Sequence, residues 1–281
     1  SHVISLPRTW LTKNKLEKGA VIFFHENGNN ELILAPVEHS LKQDEKEIVI
    51  DATKKEMSTI KRELTSAYIK GYSVIKIIDS DLKKRAVEIR NELQNLMALE
   101  IMEQTQSSVT ARVLLNMPDI DLLALLRRMD TTVRTMLTDL KDSLKDSSDS
   151  YSHLSYRDQD INRAYFVILR ITNGGMEDSK LASALKLNAK DLFNFWSIAF
   201  YLENFGDEIK RIAELMSNTK LNKNTTESVL KFLVEIESAY LSVMKAYYTK
   251  YKKIALDIEV NHANLIQKCN SFLENASGHF A

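Results

Sequence analysis

The sequence predicts an α+β protein built from three parts, and three observations support this fold class. Two short apolar runs flank a polar turn near the N-terminus, β-like runs then alternate with helical spacing, and the hydrophobic period is purely helical from Pro118 onward. We therefore predict a β-hairpin module at 1–45, a small α/β domain at 46–117 and an antiparallel helical bundle at 118–281. Only 7 Gly and 3 Pro among 281 residues favour long helices over a many-turned β fold.

Residues 1–39 are predicted to form a strand, a short helix and a hairpin, followed by a polar linker at 40–46. Residues 3–7 are a short β-like run, residues 8–17 have helical spacing, and Gly19 suits a helix end. The apolar runs 21–24 and 31–34 flank the sequence ENGNN at 26–30, which is typical of a hairpin turn.

A local excess of basic residues precedes this hairpin and is opposed within the first twenty positions only by Glu17. The basic residues are Arg8, Lys13, Lys15 and Lys18. The net charge of the chain is zero, so contact with DNA phosphates would depend on a local patch of this kind. The alternative is an ordinary solvated helix face.

Residues 47–117 are predicted to follow the order β-α-β-α-β-β. From Pro118 the chain reads as helices, the second of which is predicted to end at Gly174 and Gly175. A strict 3-4 alternation of apolar positions from Leu192 to Met216 is the signature of a bundle helix. The stretch from Asn224 to about residue 273 is too long for one globular helix and is predicted to break or bend near 252–258.

Two carboxylates stand beside the apolar seam of the bundle helix. Glu203 and Asp207 are four residues apart and therefore share one helix face, where they could act as hard oxygen ligands. The alternative is a solvated acidic edge in which Lys210 and Arg211 are ion-pair partners.

These residues carry a family resemblance. LENFGD at 202–207 resembles the LERIGD signature of PhoU proteins, and RDQDIN at 157–162 resembles the D-x-x-[IV]-N segment of the preceding helix in that family. DIEVN at 257–261 resembles the second segment again, as a tandem repeat of three-helix bundles would require. The resemblance implies a divalent or iron-type metal ion of unknown identity, with these ligands: Glu203, Asp207, Asp158 and Asn162.

The sequence departs from the family pattern in two places. Asn204 stands where LERIGD has arginine, and no LERIGD-like helix follows Asp257 in the second repeat.

The N-terminus resembles a second family. Residues 2–11, HVISLPRTWL, followed by LEKG at 16–19, are similar to AbrB-type swapped-hairpin modules, which pair as dimers and often bind DNA. The combination is similar to archaeal-type PhoU regulators. It implies a homodimer whose partners include a phosphate-transporter ATPase or a sensor kinase, with DNA as a further partner.

No nucleophile-and-base arrangement can be argued from the sequence, so we expect a non-enzymatic regulator of phosphate uptake or signalling. A single cysteine excludes an internal disulfide, the start lacks a signal-peptide pattern, and no apolar run approaches the roughly 20 residues of a membrane span. We therefore expect a cytoplasmic protein without membrane insertion. Two alternatives stay open: an AbrB-type transcription regulator with a ligand-sensing helical bundle, and a metal-free structural helical protein.

Overall fold

The computed structural model describes residues 3–26, 32–36, 45–146, 151–219 and 221–277. Contacts divide the chain into two compact units, one formed by 1–127 with 162–201 and the other by 128–161 with 202–281. Each unit contains buried apolar side chains of its own. The predicted boundaries of the three parts, 1–45, 46–117 and 118–281, stay a prediction.

The N-terminal segment contains a short helix and a hairpin. Helix α1 (Arg8–Lys13) is followed by strand β1 (Phe23–Glu26), which pairs antiparallel with β2 (Leu32–Ala35). Of the turn predicted at 26–30, Glu26 ends β1, and residues 27–30 lie outside the described residues. The strand predicted at 3–7 is wrong: this backbone leads into α1 without pairing to any described strand, and Val3 is 89% exposed. The swapped AbrB-type pairing stays a prediction.

A four-stranded sheet follows in the same unit, with the predicted order β-α-β-α-β-β. Its elements are β3 (Glu47–Asp51), α2 (Met57–Ile69), β4 (Val74–Ile78), α3 (Leu82–Gln94), β5 (Leu99–Gln104) and β6 (Ser108–Val113). The strands lie in the order β3-β4-β6-β5, with β3 and β4 parallel and the other pairs antiparallel.

One face of this sheet is buried and the other is open. Ile50 lies opposite Ile77 in the register and both are buried, whereas Val49, on the opposite face, is 59% exposed. The buried side chains of α2 and α3 include Ile60, Leu64, Tyr68, Ile89 and Leu93. The alternation of strand residues therefore places one apolar face in a core and leaves the other to solvent.

The rest of the described chain is helical after a short 3₁₀ turn at Met117–Asp119. The helices are α4 (Leu122–Asp146), α5 (Tyr151–Glu177), α6 (Ser179–Ala184), α7 (Ala189–Ser217), α8 (Lys223–Thr249) and α9 (Lys252–Ser277). The described residues after 118 contain no strand, which agrees with the helical region predicted from the change of hydrophobic period. None of the helices in the described part of the chain combines the length and apolar character that crossing a bilayer requires.

One predicted helix boundary is wrong, and a predicted break is present but slightly displaced. Helix α5 does not end at the two glycines but continues to Glu177. The missing side chain of Gly175 makes room for Leu192, since a Cβ added there would lie 2.9 Å from Cδ1 of Leu192. The last helical stretch breaks just before the predicted window, at Lys250, which adopts φ 55° and ends α8.

Arg170 of α5 is a buried charge that holds the end of α2. It is 2% exposed, and its guanidinium donates hydrogen bonds to the carbonyl oxygens of Tyr68, Gly71 and Tyr72. The last carbonyls of a helix have no partners within it and carry partial negative charge. Arg170 thus satisfies groups from a segment about one hundred residues earlier in the chain.

Candidate functional site

The candidate site is built where α5 and α7 approach each other closely. A Cβ added at Gly206 would lie 2.8 Å from Cδ1 of Ile161, so only glycine permits this approach without a shift of the isoleucine. Asp158 lies almost one turn before Ile161, and Glu203 and Lys210 lie about one turn on either side of Gly206. The glycine within LENFGD therefore sets the distance between the charged side chains.

Three carboxylates and one ammonium group meet at this point; we call Asp158, Glu203, Asp207 and Lys210 the acidic cluster. Asp158 is 3% exposed, and its Oδ2 lies 2.6 Å from Nζ of Lys210. The same Nζ lies 3.7 Å from Oδ1 of Asp207. Asp207 is also close enough to Asp158 to raise the pKa of its carboxyl group.

Burial raises the pKa of two carboxyl groups of the acidic cluster, Asp158 and Glu203. Burial raises the pKa of Asp158, Lys210 opposes this rise, and the neighbouring Asp207 adds to it. Burial also raises the pKa of Glu203 to about 7, and the charges of Asp207 and Asp158 contribute in the same direction. Asp158 and Glu203 therefore hold protons more tightly than isolated carboxylates do.

The observed side-chain positions of the acidic cluster do not fit the coordination of a metal ion. Lys210 takes the position of the cation, and the described residues contain no group of three or more His, Cys, Asp or Glu that could hold a metal. Asn162, the fourth predicted ligand, lies one turn after Asp158 on α5 and is partly buried. The metal site stays a prediction without support from this geometry.

The alternative given by the sequence, an ion-pair network, describes the observed contacts better. Lys210 pairs with Asp158 and Asp207, while Arg211 pairs with Glu208 at 2.6 Å.

A second buried carboxylate was missed by sequence reasoning. Asp130 of α4 is 4% exposed and accepts hydrogen bonds from Nε (2.9 Å) and Nη2 (2.8 Å) of Arg134 and from the hydroxyl of Tyr240 (2.7 Å). The ring of Tyr240 stacks on Phe205, with centroids 4.9 Å apart. Burial and the bond to Asp130 raise the pKa of Tyr240, which therefore stays a hydrogen-bond donor. The signal in the sequence was the Asp-x-x-x-Arg spacing directly after a seam residue.

The second D-x-x-[IV]-N segment lies in different surroundings from the first. Val260 of α9 is 78% exposed, whereas Ile161, at the same position of the first segment, is 1% exposed. Asp257 and Asn261 line a groove of about 770 Å³ between α8 and α9, with Phe205 of α7 also at its wall. In the described chain, therefore, this segment contributes to an open groove rather than to a second acidic cluster.

The four predicted DNA-binding residues are all exposed. Arg8 and Lys13 lie on α1, whereas Lys15, with φ 53°, and Lys18 lie in the turns that follow. Their contact with DNA stays a prediction.

One comparison with known proteins bears on this site. Residues 126–216, about a third of the chain, match the model of the PhoU domain family. This region is similar to PhoU domains. It contains the whole acidic cluster as well as Asp130 and Arg134. No curated protein and no solved structure matches the chain.

Proposed function

We propose that this chain is a non-enzymatic regulator of phosphate uptake or phosphate signalling that works through protein–protein contact in the cytoplasm. The observation that carries the proposal is the PhoU-domain match over 126–216, since the PhoU family is regulatory rather than catalytic. The acidic cluster supports a structural role for its charges, because Asp158 and Asp207 both pair with Lys210.

The proposed partner is the ATPase subunit of a phosphate transporter or a sensor kinase. Such a regulator needs a stable scaffold that presents its outer helix faces. Lys210 of α7 pairs with Asp158 of α5, and the hydroxyl of Tyr240 of α8 donates to Asp130 of α4, so both contacts join helices within one unit. Buried charge pairs of this kind fix the alignment of helices more than they add to stability.

The proposal is tested by measuring binding of the purified full chain to both candidate partners from the same organism. We expect one of them to bind with a Kd of about 1 µM or tighter, while an unrelated transporter ATPase does not bind. In cells, deleting the gene should change how a phosphate-responsive reporter depends on external phosphate. Absence of binding to both partners together with an unchanged reporter response would contradict the proposed function.

DNA binding is a second candidate because the four basic residues around α1 are all solvent-exposed. A gel shift with promoter DNA of phosphate genes, run across a salt series, tests it. Replacing Lys13, Lys15 and Lys18 by Ala should weaken binding and lower the salt slope by about one for each lost phosphate contact. The matched control replaces three exposed lysines of the last two helices: Lys223, Lys252 and Lys253. Equal loss in both variants would assign the binding to nonspecific charge.

The metal prediction is tested separately by elemental analysis of the purified protein. A metal present in stoichiometric amount, and lost in the double variant Glu203→Gln and Asp207→Asn, would establish the site. A metal-free protein with unchanged partner binding would favour the ion-pair network.

A further inference from the structure

The turn between α8 and α9 carries an exposed basic patch. Lys245 lies about one turn before the end of α8, Lys250 closes that helix, and α9 begins with Lys252 and Lys253. All four side chains are exposed. The chain reverses at Lys250, with φ 55°, so the lysines at the end of one helix lie beside those at the start of the next. We call Lys245, Lys250, Lys252 and Lys253 the lysine patch.

The charge of the lysine patch is not compensated. The sequence contains no Asp or Glu between Glu237 and Asp257. Of the nearest carboxylates, Glu235 and Glu237 pair with Lys268 and Lys141, and Asp257 lines the groove between α8 and α9. Within the described part of the chain, no lysine of the patch forms a salt bridge. In a chain of zero net charge, the turn is therefore a local excess of four positive charges.

Tyrosines are interleaved with the lysine patch. Nζ of Lys250 lies 4.1 Å from the centroid of the Tyr247 ring, and Tyr248 packs edge-on against Tyr247 with centroids 5.3 Å apart. Tyr251, in the turn itself, is 57% exposed. Tyrosine and lysine side chains both combine an apolar body with a polar tip. They suit the boundary between water and lipid headgroups, where the apolar body is covered and the tip stays hydrated.

The patch fits a lipid surface better than nucleic acid. Proteins that bind single-stranded nucleic acid stack successive bases on exposed rings, but Lys250 already covers one face of Tyr247. The patch has lysines and no arginine, which is the side chain with the planar fork that reads bases and phosphates. An anionic lipid surface requires only positive charge near its headgroups. Leu256, one turn after Lys252, is 50% exposed and adds apolar surface beside the patch.

We propose that the lysine patch docks on an anionic membrane surface, with lipid phosphate groups against the four lysines and the ring of Tyr251 at the headgroup boundary. The contact is peripheral, and it goes beyond the proposed function without depending on it. It holds the chain beside the membrane, where a transporter ATPase or a sensor kinase works.

Co-sedimentation of the purified full chain with lipid vesicles tests the proposal. The chain should bind vesicles that contain phosphatidylglycerol and not vesicles of phosphatidylcholine alone, and binding should weaken as NaCl rises, because exposed charges are screened. Replacing Lys245, Lys252 and Lys253 by Gln should weaken binding by about tenfold or more, since each lysine near an anionic surface strengthens it by about fivefold. Lys250 is kept because it ends α8 at positive φ.

The matched control replaces three exposed lysines elsewhere by Gln: Lys190, Lys223 and Lys231. It removes the same charge and should change binding by less than about twofold, because charges away from the surface are screened. Tyr251→Ser keeps the charge and should weaken binding by about threefold or more. Circular dichroism checks that each variant is folded.

Several results would overturn the proposal. They are wild-type protein that does not bind the anionic vesicles, equal loss in the two triple variants, and unchanged binding in Tyr251→Ser. Displacement from the vesicles by inorganic phosphate at constant ionic strength would assign the patch to a free anion instead. A patch variant that binds vesicles like wild type but loses a gel shift with DNA would assign the patch to nucleic acid.

Discussion

Replacing Glu203 by Gln should stabilise the protein at alkaline pH, although Glu203 belongs to the segment that resembles a metal-binding signature. The pKa of Glu203 is raised from 4.5 to about 7, first by burial and then by Asp207 and Asp158. The folded state therefore binds the Glu203 proton more tightly than the unfolded state does. The stability contributed by this group is complete below pH 4.5 and is lost as the pH rises through about 7.

The size of the effect follows from the same values. A pKa rise from 4.5 to about 7 corresponds to at most about 3 kcal/mol of unfolding free energy. Glu203 is only partly buried, so solvent screening reduces the expected effect to about 1–2 kcal/mol. Glutamine has nearly the same shape and no charge, so Glu203→Gln removes this cost at pH 8 and changes little at pH 4.5.

Urea unfolding, followed by circular dichroism between pH 4.5 and 8.5 in chelator-treated buffer, measures the difference. Glu214→Gln is the matched control, because Glu214 is an exposed glutamate on the same helix. It should leave the unfolding free energy within about 0.5 kcal/mol of wild type at every pH. A Glu203→Gln variant that is less stable than wild type at pH 8 would refute the reasoning, since it would mean that the folded state needs the negative charge.

Three further predictions concern packing and buried hydrogen bonds, and urea unfolding measures each of them. Gly206→Ala should change the unfolding free energy by less than about 1 kcal/mol, because the shift that the new methyl group forces on the end of Ile161 is offset by the gain in helix propensity; a loss of more than about 2 kcal/mol would show that Ile161 cannot move. Arg170→Met should cost about 3–5 kcal/mol, because it leaves the carbonyls at the end of α2 without their donor; a cost below about 1 kcal/mol would mean that water replaces the guanidinium. Tyr240→Phe should lower the unfolding free energy by about 1–2 kcal/mol, because it removes a hydrogen-bond donor to buried Asp130. An unchanged unfolding free energy would mean that the bonds from Arg134 alone satisfy this carboxylate.

Periodicity predicted those parts of the fold that depend on burial of apolar stripes. The seam of α4, from Leu122 through Leu126 and Met129 to Leu140, is buried throughout. Helix ends were predicted less well, because Gly175 reads as a helix stop in sequence but in the fold provides space for Leu192. Sequence spacing cannot separate these two uses of glycine, since the deciding contact comes from another helix.

Buried charges were the least predictable feature, because their partners come from distant segments. Arg170 lies on α5, and nothing near it in the sequence identifies the carbonyl oxygens of residues 68–72 as its acceptors. Asp130 has one local partner in Arg134, but its bond to Tyr240 spans more than one hundred residues. The spacing along α7 predicted that Lys210 pairs with a carboxylate on its own helix. Its contact with Asp158 on α5 is shorter than its contact with Asp207 on α7.

Lys210 also changes what the PhoU-like segment implies about metal binding. Its ammonium group lies within 4 Å of two carboxylates, and the pKa of about 7 leaves Glu203 partly protonated at neutral pH. The chain thus supplies most of the charge compensation for which three clustered carboxylates would otherwise need a cation. A metal ion at this position would have to displace Lys210 from Asp158 and remove the proton from Glu203. Both steps oppose binding, and the second makes metal affinity fall as the pH falls.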